Sequence, residues 1–291
     1  MIVMRKIASL VILLLSASVL NAQKLTILHL NDTHSHMEAE RGGHNYGHGG
    51  VIEQAAYIDS VRLADGNVNV MLLHAGDFSQ GSSYFTEMNG DMEIDVLNAM
   101  GFDAVCLGNH EFDNGLEELS RRLKNLDSPV LCANYDFSGT PLEGLVKPYA
   151  IIEKSGKRIG IIGLLTDVSS VVSSEIAKAL MYSSSIEAAN SYAQKLRYDE
   201  DCDLVVCLTH LGFDGEGETD LSLAAMSRNV DVIVGGHSHT KIDEPAAVQN
   251  LDGKDVIVVS DWKWGLEIGN LTVDFAGKPH CVCCGNCRMH K

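Results

Sequence analysis

Between residues 25 and 275 short apolar runs alternate with amphipathic stretches, and that alternation sets the fold class. Nine runs, rich in branched apolar residues, read as strands: 25–30, 68–74, 104–107, 130–133, 158–165, 204–209, 230–234, 256–260 and 271–275. Apolar residues spaced at 3.6 predict helices over 51–62, 91–100, 116–126 and 186–197. Strands interleaved with helices in this way build a layered α/β sheet. Segments 42–50 and 137–145 read as loops, and no repeat or long linker divides the chain.

The two ends are of a different character. Arg5 and Lys6 precede an apolar run over 7–20, and Ala22 offers a cleavage point, so 1–22 reads as a secretory signal peptide. A membrane anchor needs about 20 apolar residues, more than this run supplies, although Leu20 is large for its place in a cleavage site. The expectation is an exported protein, periplasmic or secreted, without a stable membrane anchor. Eight cysteines fall into two groups. Cys106, Cys132, Cys202 and Cys207 lie in or beside strand-like runs and read as buried thiols. Cys281, Cys283, Cys284 and Cys287 crowd a tail over 277–291 with His280 and His290. Their spacing fits no regular zinc pattern, and the tail reads as disordered.

Composition excludes other classes. Hydrophobic residues at 45% and charged residues at 21% are globular values, which rules out collagen, coiled coil and bulk disorder. A net charge of −17 repels a phosphate backbone, so no nucleic-acid polymer is expected as a partner.

The chemistry lies just past the strands. The first runs into Asn31, Asp32, Thr33 and His34, and the second into Gly76 and Asp77. After the third come Gly108, Asn109, His110, Glu111, Phe112 and Asp113. His210 ends the run 204–209, and Gly235, Gly236, His237, Ser238 and His239 follow 230–234. Five strands thus deliver oxygen or nitrogen donors at their carboxyl ends, the edge where open α/β sheets bind ligands. Singly, each has an ordinary explanation: Asp32 as a turn residue, Asn109 in a left-handed turn, Asp113 as a helix cap, His210 as a structural histidine. Together, two carboxylates, one amide and four imidazoles form a borderline donor set suited to Zn, Mn, Fe or Co. His29 and His74 fall inside strands and read as structural, and His36, His44 and His48 as solvated loop histidines.

The words DTHSH, AGDFSQG, GNHEFD, THLG and GGHSH stand in the order found in calcineurin-like metallophosphoesterases. ILHLNDTH and GNHEFD resemble the 5′-nucleotidase branch. The resemblance implies a single catalytic domain over 23–276, built as an α/β/β/α sandwich around two divalent ions. It implies that Asp32, His34 and His239 hold one ion, that Asn109, His210 and His237 hold the other, and that Asp77 bridges them. His239 stands where some relatives carry glutamine. His110 resembles the family histidine that stabilises the transition state or protonates the leaving oxygen, with Asp113 fixing its ring. The implied reaction is hydrolysis of phosphate monoesters, nucleoside 5′-monophosphates foremost, by direct attack of a metal-bridging hydroxide. Two divalent ions outweigh two anionic donors, so the site attracts a phosphate despite the acidic chain.

The resemblance also implies something that the sequence departs from. Full-length 5′-nucleotidases have a second, C-terminal domain that supplies arginines for the phosphate and aromatic rings for the base, whereas here little follows Phe275. The expectation is that this domain is absent from the chain, and that a separate substrate-binding chain supplies it or simpler esters are cleaved. A rival of a different class is a non-catalytic metal-binding subunit, and a sugar-nucleotide or thiosulfate-ester hydrolase could share the same seven donors.

Overall fold

Period-two apolar patterning resolves into two sheets whose inner faces meet. The computed structural model describes residues 24–276 and the backbone of residues 280–288; the predicted signal peptide lies outside the described residues. In chain order the strands are β1 (Lys24–Leu30), β2 (Val70–His74), β3 (Ala104–Cys106), β4 (Val130–Leu131), β5 (Tyr135–Asp136), β6 (Val146–Lys147), β7 (Tyr149–Lys154) and β8 (Lys157–Leu165). They continue as β9 (Met181–Tyr182), β10 (Leu204–His210), β11 (Val232–Val234), β12 (Ala246–Gln249), β13 (Asp255–Val259), β14 (Glu267–Asp274) and β15 (His280–Arg288). The helices are α1 (Val51–Asp65), α2 (Ser83–Met88), α3 (Asp91–Met100), α4 (Gly115–Leu123), α5 (Ser174–Ala179), α6 (Ser185–Tyr198) and α7 (Asp220–Met226).

One large sheet runs β15-β14-β1-β2-β3-β4-β6 and the other β12-β13-β11-β10-β8-β7, while β5 and β9 pair as a separate two-stranded ribbon. β1, β2, β3, β4 and β6 are mutually parallel, as are β8, β10, β11 and β13. Alternate residues explain the layering. Leu25 and Ile27 of β1, Met71 and Leu73 of β2, and Val206 and Leu208 of β10 point into one core between the sheets. Their neighbours Leu28, Leu30 and Leu72 face outward against Ile58 of α1 and Leu97 of α3. Val205 and Cys207 of β10 pack under Ala189, Ala193 and Leu196 of α6 and Leu223 of α7. The result is helix, sheet, sheet, helix, the fold class expected from the sequence.

All nine predicted runs contain strands, and all four predicted helices form with ends moved by a few residues. The elements not anticipated share a physical cause. β4 shrinks, and β5, β6 and β9 form, with only two residues each, while α2, α5 and α7 span one or two turns, too short for periodicity to register. β7 and β12 are half-exposed edge strands without a clean apolar face.

The tail is a correction. Residues 280–288 were expected to be disordered, but they form β15, antiparallel to β14 with a bulge beside Val273. Without it β14 would present an unpaired row of main-chain donors and acceptors. Such pairing needs no apolar pattern, so the sequence does not announce it. The tail's cysteine and histidine side chains lie outside the described residues. Cys106, Cys132, Cys202 and Cys207 are buried free thiols, as expected. No helix among the described residues is long and apolar enough to cross a membrane.

The two sheets pass close together at Gly163 of β8. A Cβ there would lie 2.3 Å from the main chain of Leu131 in the opposite sheet. Gly163→Ala is expected to lower stability by about 1–3 kcal/mol through overpacking. A urea melt checks this: the midpoint falls while the slope is unchanged.

Candidate metal centre

Parallel strands in both sheets end at one edge, so β1, β2, β3, β10 and β11 bring the seven predicted donors together. Five of the seven have left-handed backbone: Asp32 (φ 49°), His34 (45°), Asp77 (54°), His237 (80°) and His239 (52°). Non-glycine residues there carry strain of order 1–3 kcal/mol each, which persists only where surrounding bonds hold it. Those bonds are present. The Asp32, His34 and Ser35 amides donate to the carbonyls of Gly76, Asp77 and Phe78 at 3.0–3.1 Å, so the first ligand turn lies along the second. The Trp264 amide donates to the Asp32 carbonyl at 2.7 Å. The Asp32 carboxylate accepts from Asn31 Nδ2 at 2.7 Å and from the His237 amide at 2.9 Å. Gly108 permits a close approach, since a Cβ there would stand 2.2 Å from Asp77 Oδ1.

The donor atoms form two groups. Asp32, His34 and His239 make one, and Asp77, His210 and His237 the other; within each group every donor atom lies within 4.8 Å of the rest. Asp32 and Asp77 are linked through shared imidazoles: His34 Nε2 is 3.8 Å from an oxygen of each, and His210 Nε2 is 3.0 Å from Asp77 Oδ2 and 3.9 Å from Asp32 Oδ1. His34 Nε2 and His239 Nε2 face each other at 3.0 Å. Asn109 Oδ1 is buried with no hydrogen-bond partner. His210 Nδ1 donates to the Ala75 carbonyl at 2.7 Å, because a carbonyl only accepts, and this turns Nε2 into the site toward Asp77. Buried donors of oxygen and imidazole type that converge in this way fit a pair of divalent cations.

The electrostatics are those of charge crowded out of water. Burial pushes the Asp32 and Asp77 carboxyls up, but neighbouring histidines outweigh it, chiefly His239 and His210 for Asp32 and His210 and His34 for Asp77. Both end below the ordinary carboxylate range. Burial pulls His210 down, yet Asp77 and Asp32 together raise it to about 10. Burial, reinforced by His210, lowers His237 to about 4. His29 and His74, which were read as structural, are fully buried and held neutral, each lowered by burial to about 3.

A cleft of about 380 Å³ opens onto the donors, lined also by His110, His36, Gln80 and Trp264. His110 Nδ1 and Asp113 Oδ2 are 2.8 Å apart, and this bond, working against partial burial, raises His110 above the ordinary histidine value. Asp113 does not cap α4: Asn114 takes that place, and the Asp113 carboxylate is directed to His110. The half-exposed His110 ring stands edge-on to His34, with centroids 5.4 Å apart.

His36 departs from the sequence reading of a solvated loop histidine. Its Nδ1 pairs with Glu40 Oε1 at 2.8 Å, and its ring stacks on Trp264 at 4.6 Å. Trp264 was not singled out at all. It sits in the loop between β13 and β14, outside every recognisable motif, and the one sequence signal was the pair of tryptophans in SDWKWG.

The comparisons with known proteins agree with this geometry. The family model described as calcineurin-like phosphoesterase matches residues 25–241. A probable 5′-nucleotidase of Treponema pallidum is 35% identical, with 87% of this chain aligned to 45% of that one. A 5′-nucleotidase of Bos taurus is 33% identical, over 89% of this chain and 48% of its own length. The crystal structure of a 5′-nucleotidase precursor from Thermus thermophilus superposes with a TM-score of 0.82 at 35% identity, covering 92% of this chain and 55% of that one. This chain therefore spans about half the length of these relatives. With its donors, their order and their placement all accounted for, the chain belongs to the calcineurin-like phosphoesterase family, in which two divalent metal ions serve the reaction.

Proposed function

We propose that this chain hydrolyses phosphate monoesters, nucleoside 5′-monophosphates or related nucleotides foremost. The observation that carries the reading is the pair of donor groups facing the His110–Asp113 dyad across one cleft. Asp32, His34 and His239 would hold one ion, Asn109, His210 and His237 the other, and Asp77 would bridge them. Bound there, the pair supplies an activated water and charge stabilisation for the attacking and leaving oxygens.

The chain's own groups do the rest. His210 presents Nε2 because Nδ1 is committed to Ala75. Asn31 and the His237 amide fix the Asp32 carboxylate. His110, protonated and oriented by Asp113, presents Nε2 as a proton donor to a leaving alkoxide. The 5′-nucleotidases matched above are about twice as long, which supports the reading that nucleoside recognition comes from outside residues 24–276, in a further domain or a separate chain. The basic and apolar start at residues 1–22 supports export.

Three outcomes test this. Chelation is expected to abolish phosphate release from AMP and a panel of monoesters, and added Mn or Zn to restore it with two ions per chain by elemental analysis. A protein carrying two ions that releases no phosphate would sink the proposal in favour of the non-catalytic subunit. His110→Ala should reduce kcat about 10²- to 10⁴-fold, the usual worth of a general acid, with metal content unchanged. A group that must be protonated to act loses activity as pH rises through its pKa. Asp113 holds His110 up, so Asp113→Asn should move the basic limb of the pH–rate profile to lower pH.

A further inference from the structure

The β2–β3 ladder ends early. Its last paired residues are His74 and Val105, and both chains then leave the sheet to form the turns that carry Asp77 and Asn109. Past that point three main-chain N–H groups, of Asp77, Ser79 and Gly108, have no strand partner, and an unpaired buried amide costs about 1–3 kcal/mol. All three are satisfied by one side chain. Glu111 Oε2 accepts from Gly108 at 2.6 Å and from Asp77 at 2.9 Å, and Oε1 accepts from Ser79 at 3.0 Å. The carboxylate is fully buried. The main chain around it is held from α4, where Arg122 donates to the Glu111 carbonyl at 2.9 Å and to Ser79 Oγ at 2.8 Å. The His110 amide closes the same gap with a 2.9 Å bond to Asp77 Oδ1.

We propose that Glu111 is a positioning residue whose carboxylate continues the ladder beyond the strands, fixing the spacing of Asp77 and Asn109 before any cation arrives. It touches neither substrate nor ion and acts through those two donors. The inference rests on the metal-site reading proposed above. A glutamine keeps the size of the side chain but presents an NH₂ group where an acceptor is required, so it opposes at least one of the three amides.

Three measurements decide it. In Glu111→Gln, Mn²⁺ titration of the full chain is expected to show affinity weaker by about 10- to 100-fold, as for outer-sphere partners of metal ligands. The spin-coupled electron paramagnetic resonance signal of an Mn pair should weaken relative to isolated Mn²⁺. A purely structural role would lower the melting temperature without moving the coupling. In the metal-free wild type, hydrogen exchange at the Asp77, Ser79 and Gly108 amides should already be slow compared with exposed turns. Unchanged affinity and coupling in a folded variant would overturn the inference, and so would fast exchange at those amides in the wild type; if the variant does not fold, the exchange measurement decides. None of these readouts depends on turnover, so a wild type that binds two ions but cleaves nothing would defeat the phosphoesterase reading and leave this one standing.

Discussion

Two carboxylates are buried within reach of the same imidazoles, and that is the constraint the rest of the structure serves. Withdrawing an ionised carboxylate from water carries a penalty of several kcal/mol, and a second one nearby adds repulsion. Asp32 and Asp77 nonetheless stay ionised, because His210, His34 and His239 crowd around them and main-chain amides point at them. A proton on His210 supplies part of the compensation, and divalent ions would supply more. The left-handed backbone at five donors follows from the same demand. A turn that must aim a short side chain back over the sheet edge has few conformations open to it, and Asp and His are among the residues that tolerate this one.

The two-sheet architecture is the second requirement. One sheet contributes Asp32, Asp77 and Asn109, and the other contributes His210 and His237. The bond from His210 to the Ala75 carbonyl stitches the sheets together at the point where the donors meet. Packing of Gly163 against Leu131 and convergence of the donors are therefore aspects of one fact: the sheets must lie close for the groups to meet. In a strongly acidic chain, cations held there would override the surrounding charge and favour an anion.

Much of this was legible in the letters. Strands buried on both faces, such as VVCLTH and IIGLL, announce themselves by composition, and the donors follow strand ends at glycine-marked turns. What escaped was whatever depends on contacts distant in sequence. Trp264 lines the cleft because its loop bonds to Asp32, more than two hundred residues away, and nothing local encodes that. Glu111 could be quoted as part of GNHEFD, but its role appears only once the Asp77 turn is seen beside it. β15 pairs with β14 through its backbone, and its cysteine-rich sequence carried no strand pattern.

The placement of β1 has a consequence for how the chain comes into being. Its parallel neighbour β2 follows within fifty residues, but its antiparallel neighbour β14 pairs Lys24 with Asp274, at the far end of the described fold. Such distant pairing slows folding, because a long loop must close before any contact rewards it. During synthesis the inner strands can assemble early while the β14 side of β1 waits on the ribosome's output. That flank stays available to whatever holds a nascent polypeptide open, and the molecule locks shut only when residues beyond 267 arrive.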